Sequence, residues 1–245
     1  MTSRLVKQLA GDTVIYGLSS VLGRAMNFLL LPLFTTVFTP EEYGIQTLVY
    51  SYAAVFFVIY LLRMEVAYFR FVSDEKWSDS AYTTAQSTVT ALSIVFSLVL
   101  FVAAPWWTRI MNIDTEYSIL VRLMAVILFF DAMSEVPYAQ LRHERRATRF
   151  ALIRLTNISL NLIINGVLLY LIPLYLSYRP SPSWLSWYEG PELLYIFIAN
   201  AVASFVAFLL LYPQWRGKGL SWDKQLLREM LLYAWPLAVV SLAGI

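Results

Sequence analysis

The sequence predicts an all-α fold, a polytopic bundle of transmembrane helices with six complete spans and the start of a seventh. Three observations predict it. The 245 residues are 59% hydrophobic and only 14% charged, with a mean hydropathy of +0.63, against about 45–50% and about 25% in soluble domains. The apolar residues gather in runs of about 20, the length that crosses a bilayer as a helix. Lys and Arg fall in alternate loops, the pattern that sets membrane orientation.

The first span runs from Asp12 to Phe38. Arg4 and Lys7 precede it, but it is too long for a signal-peptide core and no A-x-A site follows, so it is a retained helix. Thr39-Pro40-Glu41-Glu42-Tyr43-Gly44 joins it to the second span, Glu41 to Leu62. Thr39 suits the N-cap, Pro40 the first helical position, and Glu42 completes a capping box, which makes a tight helical hairpin. The third span runs from Ala81 to Ala104, the fourth from Tyr117 to Tyr138, the fifth from Arg149 to Leu176 and the sixth from Pro191 to Tyr212. The seventh opens near Glu229. The domain division is therefore a six-helix lobe over residues 1–213, a cytoplasmic linker over 214–228, and the start of a second lobe over 229–245.

Of the 18 Lys and Arg residues, thirteen fall on one side of the membrane. They are Arg4, Lys7, Arg63, Arg70, Lys76, Arg142, Arg145, Arg146, Arg149, Arg216, Lys218, Lys224 and Arg228. The other side receives only Arg109 and Arg179. The first side is cytoplasmic, and the N-terminus lies inside. Trp106, Trp107, Trp184 and Trp187 fall at the outer helix ends and Trp215 and Trp222 near the inner ones, as interfacial belts require. A partial repeat supports a second lobe. Lys7-Gln8-Leu9, Asp12 and Val14-Ile15-Tyr16-Gly17 match Lys224-Gln225-Leu226, Glu229 and Leu231-Leu232-Tyr233-Ala234. Six helices return the chain to its starting side, so a second copy would enter in the same orientation, a recurrent transporter plan.

Several function classes drop out. A net charge of +2 is too small for nucleic acid. There is no Cys and a single His, His143, so neither a metal nor a cofactor is expected. No nucleotide-binding or nucleophile motif is present; a membrane-embedded glycan polymerase or ligase stays as a second alternative, against which the short outer loops count. The chain reads as a non-enzyme.

Charged and amide side chains inside a bilayer are costly and call for a cavity or a partner. Arg24 sits about twelve residues into the first helix, on one face with Thr13, Gly17, Ser20 and Asn27. The fifth helix carries Arg154, Asn157, Asn161 and Asn165 as a stripe. The third has Gln86, Thr90, Ser93 and Ser97 on one face, and the sixth has Asn200 and Ser204. In the fourth, Asp131 and Glu135 stack one turn apart, with Arg122 near the outer end. Each has a plainer reading. Ser, Thr and Asn stripes hydrogen-bond helices together; Arg24 could be neutralised by an acid; Arg63 reads as an interfacial anchor; Asp131 and Glu135 could pair with the Arg142–Arg149 cluster. Taken together, the stripes predict a water-filled cavity with a cationic floor from Arg24 and Arg154, suited to an anion such as a phosphate. Asp131 and Glu135 are candidates for coupling to protons or sodium.

The first hairpin, Leu31-Pro32-Leu33 through Gly44, resembles the opening of bacterial polysaccharide flippases of the multidrug/oligosaccharidyl-lipid/polysaccharide exporter superfamily. Met64-Glu65-Val66-Ala67-Tyr68-Phe69-Arg70-Phe71 resembles the segment after their second helix. Leu141-Arg142 through Arg149-Phe150-Ala151-Leu152, on to Asn157 and Asn161, resembles their fourth loop and fifth helix. The resemblance spans the whole chain. It implies the MATE-like plan of two six-helix lobes, often with two further helices, so that this chain is the N-terminal part of a 12–14 helix protein. It implies a multi-pass protein of the bacterial inner membrane. The implied activity is movement of an undecaprenyl-pyrophosphate-linked oligosaccharide from the inner to the outer leaflet by alternating access, for polysaccharide or O-antigen assembly. Its partners would be that lipid, the membrane lipids and a glycan polymerase. Related lipid II flippases use an arginine of the first helix inside the cavity, and Arg24 sits where that role falls. An ion-coupled drug exporter of the same superfamily is the alternative; it calls for buried acids at the cavity centre.

Overall fold

This computed structural model describes residue 17 and residues 30–178, 182–188, 190 and 192–244. Most of the first predicted span, with Arg24 and Asn27, lies outside the described residues. Its described end, α1 (residues 30–37), is helical.

The expected hairpin follows. The Thr39 backbone N–H donates to Glu42 Oε2 at 2.8 Å, and the Glu42 N–H donates to Thr39 Oγ1 at 3.3 Å. This reciprocal cap opens α2 (Pro40–Leu61), with Pro40 in the first turn, where its missing N–H costs nothing. The chain then departs from the expected end of the span at Leu62. Leu62 and Arg63 both take left-handed backbone angles (φ 44° and 58°), which break the ladder once, and the helix resumes as α3 (Met64–Phe71). Together they make one apolar rod, Pro40–Phe71.

The remaining elements are α4 (Ser78–Val102), the short α5 (Ala104–Ile110), α6 (Ser118–His143) and α7 (Ala147–Gly166). A π-helical turn (Val167–Leu171) leads from α7 into α8 (Ile172–Tyr178). Then come α9 (Leu193–Leu210), the single turn α10 (Tyr212–Trp215) and α11 (Lys224–Ala243). No strand occurs among the described residues. Five helical segments are long and apolar enough to cross a membrane: Pro40–Phe71, Ser78–Val102, Ala147–Tyr178, Leu193–Leu210 and Lys224–Ala243. They correspond to the second, third, fifth, sixth and seventh predicted spans. The fourth is α6, which has the length at 26 residues but carries Arg122, Asp131 and Glu135.

Packing explains how α6 tolerates those charges. It is the central helix, in contact with α2, α3, α4, α5, α7 and α9. Its neighbours approach through small residues. Ala199, Ala203 and Ala207 of α9 recur every four residues and are all buried, as are Ala81 and Ala85 of α4. Between lipid-embedded helices no water is released by burial, so close backbone approach and polar contacts supply the association. Large side chains such as Tyr60, Phe197, Leu120 and Met124 fill the rest of the interior, while Ile94, Val95, Leu98, Val99 and Val102 of α4, and Trp235, Val239 and Val240 of α11, are all exposed. The architecture is therefore an all-α, polytopic membrane bundle.

The linker is seated on this bundle. The Ser221 N–H donates to Ser87 Oγ (2.9 Å) and the Asp223 N–H to Thr84 Oγ1 (3.2 Å) at the start of α4. Lys218 Nζ stands 3.6 Å from the centre of the Tyr82 ring. Asp223 then caps α11 by accepting from the N–H groups of Gln225 and Leu226. From that anchor α11 runs back along α3. Phe71 meets Tyr233 edge-on, and the Arg63 Nε–H donates to Ser241 Oγ at 2.7 Å. Ser241 is about 27 Å along α11 from Asp223 at the helical rise per residue. Arg63 therefore stands well along the bundle from the end where the linker is seated, because α3 carries the helix two further turns toward that end.

Candidate functional site

A cavity of about 330 Å³ opens between α2, α6, α7 and α9. Each of three helices contributes one face at helical spacing. Asp131, Ser134, Glu135 and Tyr138 come from α6, Arg154 and Asn157 from α7, and Asn200, Ser204 and Ala207 from α9; Phe57 of α2 closes it. Its centre is an ion pair. Arg154 Nη2 donates to Glu135 Oε1 at 2.7 Å, and the guanidinium lies 4.3 Å from the centre of the Tyr138 ring. The Arg154 side chain is 40% exposed and that of Glu135 16%, so the guanidinium is the member that faces the open space. On the opposite wall Asn200 Nδ2 donates to the Tyr50 hydroxyl (3.1 Å), which stacks on Phe197.

The predicted site residues divide. Arg154, Asn157, Asp131 and Glu135 come together in this cavity. Asn161 and Asn165 turn to each other: Asn165, fully buried, donates through Nδ2 to the Asn161 carbonyl (2.9 Å) and to its Oδ1 (2.8 Å). Arg24 and Asn27 lie outside the described residues. The suggested pairing of Glu135 with the Arg142–Arg149 cluster is not what forms. Arg142 lies over the Phe69 and Phe150 rings and Arg146 pairs with Glu144 (3.0 Å), while Arg154, across the helix interface, takes Glu135. Among the described residues, two carboxyl groups and one guanidinium line the cavity.

The polar face of α4 does the plainer work of joining helices. Gln86 Nε2 donates to the Met133 carbonyl (3.4 Å), and Ser97 Oγ donates to the Ala125 carbonyl and meets the Tyr60 hydroxyl, both at 3.1 Å. Among the described residues no cluster of three or more His, Cys, Asp or Glu could hold a metal ion.

A second cavity, about 520 Å³, lies between α2 and α11 on the other side of Phe57. Phe57, Val58, Leu61, Val240, Ser241 and Gly244 make it mostly apolar, and Arg63 is its one charge. Arg63 is held by Ser241 and by Glu65, whose Oε1 it approaches to 3.2 Å. Arg63 was read from the sequence as an anchor. The signal that could have found its depth is the apolar pattern continuing past it through Val66, Ala67, Tyr68 and Phe69.

Residues 9–245 match the family model described as "Polysaccharide biosynthesis protein". The chain belongs to this family. The family is one of membrane transporters rather than enzymes, in agreement with the polytopic bundle. Comparison with curated proteins and with solved structures gives no match. Membership accounts for the resemblance seen in the first hairpin and the fifth helix, and it assigns the protein a role in membrane transport linked to polysaccharide assembly.

Proposed function

We propose that this chain moves an undecaprenyl-pyrophosphate-linked oligosaccharide from the inner to the outer leaflet of the bacterial inner membrane by alternating access. Residues 1–213 would form the first six-helix lobe of a MATE-like, 12–14 helix protein, 214–228 the cytoplasmic linker and 229–245 the opening of the second lobe, with the N-terminus inside. The observation that carries the reading is the pairing of two unlike cavities across Phe57. One is lined by amide, hydroxyl and charged groups, as a sugar–phosphate head group requires. The other is apolar apart from Arg63, which Ser241 and Glu65 already hold, and its apolar wall suits the lipid end of the same molecule. In this reading Arg154 and Asn157 meet the head group from one side, and Arg24 and Asn27 complete the pyrophosphate site. Asn161 and Asn165 support the stripe from behind. A glycan polymerase would take the product on the outer side.

The two carboxyl groups of the wall favour a second reading, an ion-coupled exporter in which Asp131, one turn from the paired Glu135, takes up a proton or sodium ion. The two readings separate in one experiment. Arg24→Ala and Asn157→Ala are introduced into the full-length protein, and surface glycan is measured alongside protein level. Loss of glycan at normal protein level is expected for both variants. Undiminished export from Arg24→Ala would remove Arg24 from the mechanism, and cation efflux without any glycan defect would select the exporter.

A further inference from the structure

The Arg154–Glu135 contact is a single N–H to oxygen bond, although a guanidinium and a carboxylate can lock together through two parallel bonds. Of the five N–H donors of Arg154, this is the one engaged in a hydrogen bond among the described residues. The guanidinium is fixed in place by Tyr138 beneath it and Glu135 beside it, and it presents its remaining donors to the cavity. Glu135 itself is the more enclosed partner. A guanidinium among membrane-spanning helices without a counter-charge is costly, so an empty carrier needs an anion at this point whenever it changes conformation. A bidentate, multiply charged pyrophosphate outcompetes a monodentate carboxylate for the same fork.

We propose that Glu135 is the resident counter-ion of Arg154, an internal stand-in that the substrate's pyrophosphate displaces on binding and that recaptures the guanidinium on release. The inference rests on the flippase reading above and adds a role to it: Glu135 lowers substrate affinity and speeds the return of the empty carrier. Asp131, one turn away, and the Arg63–Glu65 pair on α3 stay in place as the fixed charges around the exchange.

The test uses the full-length protein in nanodiscs, with farnesyl pyrophosphate as the binding probe and lipid-linked oligosaccharide export as the turnover readout. Glu135→Gln keeps the shape and removes the competing charge. It should bind the probe about tenfold more tightly, a difference of one decade in Kd, while export falls. A merely structural role for Glu135 would lower both. Glu135→Asp, which lengthens the pair by one methylene, should give a smaller gain in the same direction, and it carries the test should the Gln variant fail to accumulate. Arg154→Gln should bind about tenfold more weakly. Unchanged or weaker binding by folded Glu135→Gln and Glu135→Asp, with Arg154 still required, overturns this inference alone. Unchanged binding by Arg154→Gln overturns the assignment of the cavity to the head group as well.

Discussion

Asn157 and Asn165 lie two turns apart on α7, yet their surroundings assign them opposite tasks. Asn157 lines the cavity, whereas Asn165 is sealed and bonded to Asn161. Truncating a buried, hydrogen-bonded amide loses the bond and strands its partner, about 1–3 kcal/mol. Asn165→Ala is therefore expected to lower thermal stability by that order, with glycan export falling only in proportion to the protein lost. Asn157→Ala should leave the melting temperature nearly unchanged and still reduce export. Thermal unfolding in detergent, run beside the export assay, checks both. The Asn stripe itself was legible in the sequence, because helical spacing is a local property. Which asparagine faces the cavity was not, since that depends on where α9 packs. The Arg154–Glu135 pair was hidden for the same reason: its partners sit on different helices, and nearer arginines competed for Glu135 in any reading of the sequence.

At the scale of elements, local chemistry again separates what the sequence discloses from what it conceals. The Thr39–Glu42 cap was legible because all its parts lie within four residues. The α2–α3 break was not, because Leu62 and Arg63 take left-handed angles without a glycine to mark them. The π-helical turn inside the Ala147–Tyr178 rod is a related case. Its widened ladder leaves the Leu168 carbonyl to an outside donor, and the Tyr188 hydroxyl supplies it at 2.6 Å. Burial pushes Tyr188 up to about 12. A folded-state value raised above the ordinary tyrosine value means that its stabilisation is complete below about pH 10 and is lost as pH rises through about 12. Tyr188→Phe is expected to cost about 1 kcal/mol at neutral pH and to flatten the loss of stability between about pH 10 and 12, read by denaturation at a series of pH values. The docked linker makes a second prediction. Ser87→Ala with Thr84→Ala removes both acceptors of the Ser221 and Asp223 N–H groups. At about 1 kcal/mol per bond, about 2 kcal/mol for the two, trypsin should cut at Lys218 or Lys224 about thirtyfold faster than in the native protein.

For the whole molecule, the arrangement of charge across the bilayer is the property that decides which way a lipid-linked cargo would travel. The structure moves Arg63 from the loop to the interior, and the sequence still assigns twelve basic residues to the inner side against two outside. That bias predicts an N-terminus in the cytoplasm. The loops before α6 and before α9 then face out, and the α3–α4 loop and the linker face in. The chain has no cysteine, so a single introduced thiol reports its own side without background. Glu116→Cys and Ser186→Cys, both exposed, should react with a membrane-impermeant maleimide in intact cells. Ser73→Cys and Gly219→Cys, equally exposed, should react only after the membrane is opened. The reverse pattern would invert the orientation. It would place the seated linker and the mouth of α11 outside, and transport from the inner leaflet would then have to begin at the end of the bundle that carries α5 and the Tyr188 loop.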